Sequence, residues 1–499
     1  MTLTRGPQPE LAAGPAVVAG GQNTLARGSL STWDATAISI SVLSPGMAML
    51  LNVPGVAIVA GGSTPLAFLF GGVGVLALAF VIVGFTRRMA SAGYAYTYAS
   101  RSIGKEGGFV AGWLYAFGFA CFVPMTMAGV AGLAINLLGL NANLWFPFFL
   151  IGMALLVVLT VIRIKVTTRV QLLVGALTVA LIVIVDLFVV GKGGASGNTV
   201  QPFTFGHTVS GGFNGVFYGI ILGVTSYIGF ETAADFGEET SNPRRSIPIA
   251  IIAATGIAIV LYLLTTYAMT IGFGVSNGAT FGGDSYALKT IASKFIGGPF
   301  GTLIEIGGML SAFIVCVACA TASARTLFAM GRERVLPVWF SKTHPRFKTP
   351  VNATVTVAVV ATAAAALIGF VFPQAAFGGA TTTVYFFYAT MGTLAVIVVY
   401  IMLCLGGMAF FRRTKASYNL VLHGLVPLIG AAVFAAALYG SVYPQPPFPL
   451  NWTPYITLAW LVIGIVTVVG LRARNPAAVE RIGSILGEEG GEDAKLLSA

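Results

Sequence analysis

Four long stretches of the chain contain no Asp, Glu, Lys or Arg, and they limit the possible folds more than any other feature. The stretches are residues 35–86, 107–162, 349–411 and 416–471. A helix needs about 20 apolar residues to cross a bilayer, so each stretch has room for two crossings. Only 9% of all residues are charged, whereas soluble domains carry about 25%. The sequence therefore predicts an all-α integral membrane protein.

Turn-forming residues divide each of these stretches near its middle. The dividing segments are GGSTP at 61–65, LGLNAN at 138–143, FPQAAFGGA at 372–380 and YPQPPFPLNW at 443–452. Gly, Pro and Asn favour turns, so these segments are expected to connect successive helices. Further apolar segments lie at about 168–191, 213–237, 247–272 and 299–328. We therefore predict twelve transmembrane helices.

The basic residues agree with this arrangement. If the N-terminus lies in the cytoplasm, the only Lys and Arg residues placed outside, out of 27, are Lys192, Lys289 and Lys294. Cytoplasmic loops of membrane proteins carry such an excess of positive charge. The net charge of +11 therefore reflects topology and indicates no nucleic-acid partner. We predict a protein of the cytoplasmic membrane with both termini and the 329–350 loop in the cytoplasm; no feature specifies an oligomeric state.

Few ionisable residues lie in or beside the spans, which argues against an enzyme. The acidic ones are Asp34, Asp186, Glu231 and Glu305, on four different helices. The sequence has no HExxH, Gly-x-Ser-x-Gly or phosphate-loop motif, and its three histidines are scattered. We therefore expect no catalytic residues, no metal site and no cofactor. A secondary transporter is favoured, and a channel or sensor is the alternative from another class.

Two spans carry residues that interrupt a helix. In span 1, SISVLSPGMAM, Pro45 lacks an amide proton and Gly46 adds backbone freedom, which predicts a break near Ser44–Gly46. In span 6, Gly229 lies in the polar patch TSYIGFE, two residues before Glu231. Because spans 1 and 6 are five apart, they cross the membrane in opposite directions. The pairing predicts a five-plus-five inverted repeat with discontinuous helices 1 and 6.

Three stretches resemble those of a known family. Residues 226–251, SYIGFETAADFGEETSNPRRSIPIAI, resemble the sixth-span signature of the amino acid–polyamine–organocation superfamily of permeases. RRMASAGYAYTYASRSIGKEGGFVAGW at 87–113 resembles its second cytoplasmic segment, and ARTLFAMGRERVLP at 324–337 resembles the segment that leaves its eighth span. The resemblance covers 31–472. It implies the inverted-repeat fold, alternating access, and transport of amino acids or amines driven by a cation gradient or by exchange.

The resemblance also implies where a small-molecule substrate binds. The implied residues are Ser44, Pro45, Gly46, Met47, Thr225, Ser226, Tyr227, Ile228 and Gly229, with Phe119 or Val123 of span 3 nearest. Free amides at one break suit a carboxylate, and free carbonyls at the other suit an ammonium. Amino acid carriers of the family usually have Gly-Ser-Gly in span 1, whereas this chain has Ser-Pro-Gly. Because Pro45 removes one amide donor, an amine without a carboxylate or another small organic solute is the alternative substrate.

Three acidic residues are expected to act at the inner gate. Glu231 begins the inner half of span 6, where a carboxylate meets the positive end of the helix dipole. Asp235 lies one turn further along the same face. Asp34 lies at the inner mouth of span 1. We predict that these carboxylates hold or open the cytoplasmic side.

The coupling ion stays open between H⁺ and Na⁺. Glu305, towards the outer third of span 8, marks either a pathway or a packed polar contact. Ser311 on the same span could help to form a sodium site. Some proton-coupled members of the family place a lysine in the middle of span 5, and residues 171–185 contain none.

The predicted organisation follows from these assignments. It comprises an N-terminal cytoplasmic tail at 1–30, a first inverted repeat at 31–191, a second at 213–411, two additional helices at 416–472 and a C-terminal cytoplasmic tail at 473–499.

Overall fold

The computed structural model describes most of the chain between Ser31 and Ile482. The described residues are 31–89, 94–162, 168–195, 197–209, 211–236, 240–332, 335–347, 349–373, 378–414, 418–480 and 482. The predicted N-terminal tail and residues 483–499 of the predicted C-terminal tail lie outside them. The beginning of the latter is helical, because a helix continues to Arg474 and another follows at Pro476–Glu480.

The regular elements of the described residues are helices. In chain order they are α1 Thr32–Leu43, α2 Pro45–Met47, α3 Val53–Ala60, α4 Thr64–Thr86, α5 Tyr94–Ile103, α6 Lys105–Leu138, α7 Trp145–Val161, α8 Thr168–Gly191, α9 Gly212–Tyr227, α10 Pro243–Phe273, α11 Gly278–Gly283, α12 Ala287–Phe295, α13 Gly298–Arg332, α14 Val351–Val371, α15 Ala380–Thr414, α16 Val426–Gly440, α17 Thr453–Arg474 and α18 Pro476–Glu480. Short 3₁₀ segments and π-helical turns join or extend several of them.

Eleven helical segments of the described chain are long and apolar enough to cross a membrane. The first, Thr32–Thr86, is 55 residues long and contains α1 to α4. The others are Lys105–Leu138, Ala142–Val161, Gln171–Gly191, Gly212–Ala234, Pro243–Phe273, Gly298–Arg332, Val351–Val371, Ala380–Thr414, Val421–Gly440 and Leu450–Arg474. The chain is therefore an all-helical, multi-pass membrane protein.

The basic residues gather at one end of the bundle, which we call the basic end. The Arg88 guanidinium donates to Thr414 Oγ1 at 3.2 Å and lies over the Phe411 ring at the end of α15. Arg472 of α17 forms an ion pair with Glu106 at the start of α6. At the opposite end, Lys192 donates to the carbonyl of Phe295 at 2.7 Å. These contacts distinguish the two ends of the bundle, and the side of the membrane on which each end lies stays a prediction.

The long helix α6 forms the centre of the bundle and packs against α13 and α15. Close approach depends on small residues, as in many membrane bundles. A Cβ added at Gly118 of α6 would lie 3.0 Å from the carbonyl oxygen of Gly392 in α15, and one added at Gly392 would lie 2.8 Å from that of Gly118. The two backbones therefore touch at these glycines, which holds α6 directly against α15.

Candidate functional site

The first interruption lies between α1 and α2. Helix α1 ends at Leu43, and Ser44 adopts left-handed backbone angles (φ 49°, ψ 66°) before Pro45 begins the next helical turn. Proline is favoured at a helix start because it needs no amide partner there. The carbonyl oxygen of Leu43 accepts a hydrogen bond from the Tyr262 hydroxyl of α10 at 3.2 Å. The Tyr262 side chain thus provides a hydrogen-bond partner for a backbone carbonyl that the break leaves without one in the helix.

Two further helices close against this interruption. The hydroxyls of Ser44 and of Ser311 in α13 are hydrogen-bonded at 2.6 Å, and both side chains are buried. A Cβ added at Gly46 would lie 2.3 Å from Thr178 Cγ2 of α8 and 3.3 Å from Ser311 Cβ. Ser44 and Gly46 therefore face α8 and α13 at a closely packed junction.

The second interruption follows α9. That helix ends at Tyr227, Ile228 is extended (φ −60°, ψ 131°), and Gly229 has φ 113°. A 3₁₀ segment, Phe230–Phe236, comes next. A Cβ on Gly229 would lie 2.8 Å from Val42 Cγ1 and 3.0 Å from the Val42 carbonyl carbon. Glycine is required here both by its positive φ and by its contact with the backbone of α1. The two interruptions therefore touch each other.

Glu231 holds the second interruption from within. Its side chain is fully buried, and Oε2 accepts the Gly229 amide hydrogen bond at 3.0 Å. Oε1 accepts from the Tyr400 hydroxyl of α15 at 2.9 Å and has a longer contact of 3.5 Å with the Tyr115 hydroxyl of α6. A buried carboxylate is tolerated only with such partners. Glu231 thus joins the irregular backbone to α6 and α15.

A small cavity of about 20 Å³ lies between the interruptions. Its walls come from both breaks, from α6 and from α13. The lining residues are Val42, Leu43, Met47, Phe119, Phe122, Met125, Thr126, Thr225, Ile228, Val315 and Cys319. This volume is enough for about one water molecule. A solute of several heavy atoms can therefore enter only when the surrounding helices move apart.

A larger cavity of about 570 Å³, here called the vestibule, opens near the end opposite the basic end. Its lining includes Leu51, Gly129, Tyr286 and Tyr385 as well as the exposed Gly283. On α6 the small-cavity residue Thr126 lies two residues before Ala128, which lines the vestibule, and on the first interrupted helix Met47 lies four residues before Leu51. Two to four residues of helix rise about 3–6 Å, so one turn or less separates the two cavities.

A polar link that we did not predict from the sequence lies beside both cavities. Asn52 is fully buried in the π-helical turn Ala48–Asn52. Its amide donates to Ser226 Oγ at 2.9 Å, and its carbonyl accepts from the Tyr385 hydroxyl at 2.6 Å. The link joins the first interrupted helix to α9 and α15. One polar residue within the apolar segment AMLLNVPGV is the sequence signal that could have identified it.

The nine residues expected to bind substrate all lie at the two interruptions, but they face different ways. Met47, Thr225 and Ile228 line the small cavity, and Phe119 of α6 lines it as well. Of the others, Ser44 and Gly46 face α8 and α13, and Ser226 faces Asn52. Tyr227 donates to the carbonyl of Phe68 at 3.2 Å. Side chains of an irregular segment do not point in directions that helical periodicity predicts. The sequence therefore could not show which of these residues face the small cavity and which face neighbouring helices.

Two of the residues assigned to gating occupy unlike surroundings. Asp34 belongs to a capping box at the start of α1, because its Oδ2 accepts the Ser31 amide at 2.9 Å and its own amide donates to Ser31 Oγ at 3.2 Å. The backbone of Asp235 lies in the 3₁₀ segment Phe230–Phe236, and its side chain lies outside the described part of the chain. Asp34 therefore has a structural role in capping α1, and its gating role stays a prediction.

Glu305 of α13 is fully buried near the vestibule end and pairs with Lys289 of α12 at 2.6 Å. It also accepts a hydrogen bond from the Asn136 amide of α6. Burial and, secondarily, the charge of Glu305 raise the pKa of nearby Tyr286 to about 12. The Tyr286 hydroxyl therefore stays protonated, and it donates to the Gly132 carbonyl at 3.2 Å. These contacts tie the α11–α12 segment to α6 and α13.

Broken helices around a buried cavity, in a multi-pass membrane bundle, are the architecture of a transport protein. Residues 30–468 match the family described as amino acid permease, and the chain belongs to that family. The match agrees with the resemblance to the amino acid–polyamine–organocation permeases.

Curated relatives are transport proteins. The methylthioribose transporter of Bacillus subtilis is 26% identical over 462 residues, covering 88% of this chain and 92% of the relative. The branched-chain amino acid permease BcaP of the same species is 27% identical over 360 residues, 67% of this chain and 73% of the relative. The low-affinity putrescine importer PlaP of Escherichia coli is 26% identical over 316 residues, 60% and 66% of the two chains. This chain is therefore similar to transporters, which are not enzymes.

Proposed function

We propose that the protein is a secondary active transporter that carries amino acids or related amines across the cytoplasmic membrane by alternating access. The observation that carries the proposal is the small cavity at which both helix interruptions meet. The names of the relatives include an amino acid permease, an amine importer and a methylthioribose transporter. Another small organic solute therefore remains the alternative substrate.

The proposed topology has twelve spans in a five-plus-five inverted repeat. The segment Thr32–Thr86 has 55 residues, which allows two crossings at about 20 residues each. The left-handed Gly61 (φ 52°) between α3 and α4 supports a reversal there. The positive-inside rule then puts the basic end and both termini in the cytoplasm. Phe340→Cys should resist labelling by an impermeant maleimide added from outside; rapid modification would refute this topology.

The polar head of the substrate would bind backbone groups left free at the interruptions. The first amides of a helix and its last carbonyls have no partner within that helix. In α9 the Val224 and Thr225 carbonyls accept from the Ile228 amide, and no residue of the described ranges donates a backbone hydrogen bond to those of Ser226 and Tyr227, which would be available to an ammonium. The amides of Gly46 and Met47 remain for a carboxylate, because Pro45 contributes none. Pro45 therefore reduces the carboxylate site rather than removing it.

Alternating access would proceed between the vestibule and the basic end. The vestibule lies within about one helical turn of the small cavity, and the contacts of Glu231 with Gly229, Tyr400 and Tyr115 would hold the other side together. Opening inwards would then require α1 to move relative to α6 and α15, while the 3₁₀ segment stays attached to these two helices. Hydrogen-bonded side chains rather than bulky plugs would control this step.

The coupling ion is proposed to be H⁺ or Na⁺. The buried Ser44–Ser311 hydroxyl pair supports Na⁺, because hydroxyl and carbonyl oxygens are ligands for hard cations. Glu305 and Asp34 are the carboxylates available for a proton. If either carries one, its amide variant should lose uptake driven by a pH gradient and keep exchange. Equal loss of both activities would instead indicate a defect in folding or binding.

Counterflow in proteoliposomes tests the carrier directly. A thermal-stability screen of amino acids and simple amines first selects ligands, since binding to the folded state raises apparent stability. Proteoliposomes loaded with unlabelled ligand should then accumulate labelled ligand transiently above equilibrium. Protein-free liposomes are the control. Entry of label that the internal ligand does not accelerate would show a channel and refute the proposal.

A further inference from the structure

The walls of the small cavity contain no charged side chain among the described residues. Its α6 and α13 side supplies Phe119, Phe122, Met125, Val315 and Cys319, which we call the apolar wall. All five are buried, and each is uncharged. The side chain of a bound solute that points away from the interruptions would therefore contact only carbon and sulfur.

The two threonines of the lining are already hydrogen-bonded. Thr126 donates from its hydroxyl to the Phe122 carbonyl at 2.7 Å. Thr225 has the Ile221 carbonyl at 2.9 Å and the Thr393 hydroxyl at 2.6 Å. The hydroxyl protons of both threonines are thus engaged within the protein, so neither threonine offers a free hydroxyl donor to a solute.

Glu231 does not place a negative charge in the wall of the small cavity. Its carboxylate is outside the lining, and its oxygens accept from the Gly229 amide and the Tyr400 hydroxyl. Because Glu231 does not line the small cavity, a cationic side chain bound there would not be in direct contact with its carboxylate.

Burying an ammonium against the apolar wall is unfavourable because a charge loses its water without gaining a partner. An aliphatic or thioether group gains instead from leaving water. Met125 and Cys319 add polarisable sulfur, and the flexible methionine can adapt to solutes of different shape. The wall therefore suits apolar groups and disfavours cationic ones.

From these contacts we infer that the substrate presents an uncharged apolar side chain, aliphatic or thioether, to the apolar wall. The inference rests on the proposed carrier function and narrows its substrate class. A solute whose far end is a second ammonium group, such as a diamine or a basic amino acid, is excluded from this position.

Matched ligand pairs test the inference on the purified full-length protein. Norleucine and lysine differ by one terminal ammonium group, as do butylamine and putrescine. We expect norleucine, butylamine or both to bind in calorimetric titration, and each charged counterpart to bind at least about 100-fold more weakly. Charged ligands that bind within about threefold of their partners would overturn the inference. So would a failure of both neutral ligands to bind at millimolar concentration.

Variants of α13 test whether the side chain of the ligand lies against the apolar wall. Cys319→Phe fills the cavity and should weaken norleucine binding at least tenfold, whereas Cys316→Ala, on the same helix but outside the lining, should not. If Cys319→Phe does not fold, Val315→Ala enlarges the same wall and should favour phenylalanine over norleucine by about tenfold. Unchanged relative affinities in the folded variants would overturn the position assigned to the side chain.

Counterflow separates this inference from the carrier function. If norleucine binds selectively but shows no counterflow, the carrier is refuted and the apolar wall stands as a binding site. If lysine and norleucine both show counterflow with similar half-saturation, the carrier stands and the inference is wrong.

Discussion

The two helix interruptions meet at one cavity, but different chemistry holds them. Neutral hydroxyls hold the first, through Ser44 with Ser311 and Tyr262 with the Leu43 carbonyl. A buried carboxylate holds the second, through Glu231 with the Gly229 amide and the Tyr400 hydroxyl. A neutral hydrogen bond contributes about 0.5–1.5 kcal/mol, and one to a charged group about 1.5–3 kcal/mol. The second interruption is therefore the more firmly fixed.

We expect the two interruptions to behave differently during a transport cycle. The contacts of the first interruption are easier to exchange, either for a hydrated ion or for another hydroxyl. Those of the second cannot be broken without leaving a buried carboxyl group and the Gly229 amide without hydrogen-bond partners. We therefore expect α1 and α2 to change partners during transport, while the segment around Gly229 keeps its shape and moves with its neighbours.

Changing Gly229 should have the largest effect. Gly229→Ala places a Cβ at φ 113° and against the Val42 backbone, so we expect a loss of about 2–4 kcal/mol of stability and of transport. Gly256→Ala in α10, where a Cβ meets nothing within 4 Å, is the matched control. Thermal unfolding in detergent measures both. A larger residue here disturbs folding, so Gly229→Leu would not isolate substrate binding. Unfolding of Gly229→Ala at the wild-type temperature would show that the second interruption is not fixed.

Glu231→Gln is expected to have the next largest effect. The amide keeps one acceptor but faces the Gly229 amide or the Tyr400 hydroxyl with its NH₂ group, so turnover should fall about 10–100-fold while binding stays measurable. The control Tyr400→Phe removes one donor and should reduce turnover less. Counterflow rates and ligand titration separate the two quantities. Normal turnover in Glu231→Gln would contradict the anchoring role.

Asn52→Ala tests the link between the interruptions. It leaves the Tyr385 hydroxyl and Ser226 without their shared partner, which should cost about 1–3 kcal/mol. Asn352→Ala, whose exposed amide donates to the Trp339 carbonyl, serves as a surface control with a smaller effect. Chemical denaturation or thermal unfolding reports both. Equal effects of the two substitutions would argue that the link is dispensable.

The smallest effect is expected at the first interruption. Ser311→Ala removes one neutral hydrogen bond and should lower stability by about 0.5–1.5 kcal/mol. If the hydroxyl pair binds Na⁺, this variant should also need several-fold more Na⁺ for half-maximal uptake. The control is Ser323→Ala, which is also on α13 and loses a hydrogen bond to the Ala116 carbonyl of α6. A loss of stability larger than that of Glu231→Gln would reverse the comparison.

The sequence predicted the helical, membrane-spanning class and the positions of both interruptions, because apolar length, Pro45 and Gly229 act locally. Partners across the bundle could not be predicted, since Tyr400, Tyr115 and Asn52 are far from Glu231 and Ser226 in the chain. The direction of each side chain at an irregular segment also depends on tertiary packing. For that reason Ser44 and Met47 were assigned one role, although only Met47 lines the cavity.

The account depends most on the claim that substrate binds between the two interruptions. A cryo-electron-microscopy map of the protein with a ligand that supports counterflow tests this directly. We expect ligand density bounded by Met47, Phe119 and Ile228, with the small cavity enlarged beyond its volume of about 20 Å³ in the present structure. Ligand density confined to the vestibule beside Tyr286 and Tyr385, with the small cavity not enlarged, would contradict the account.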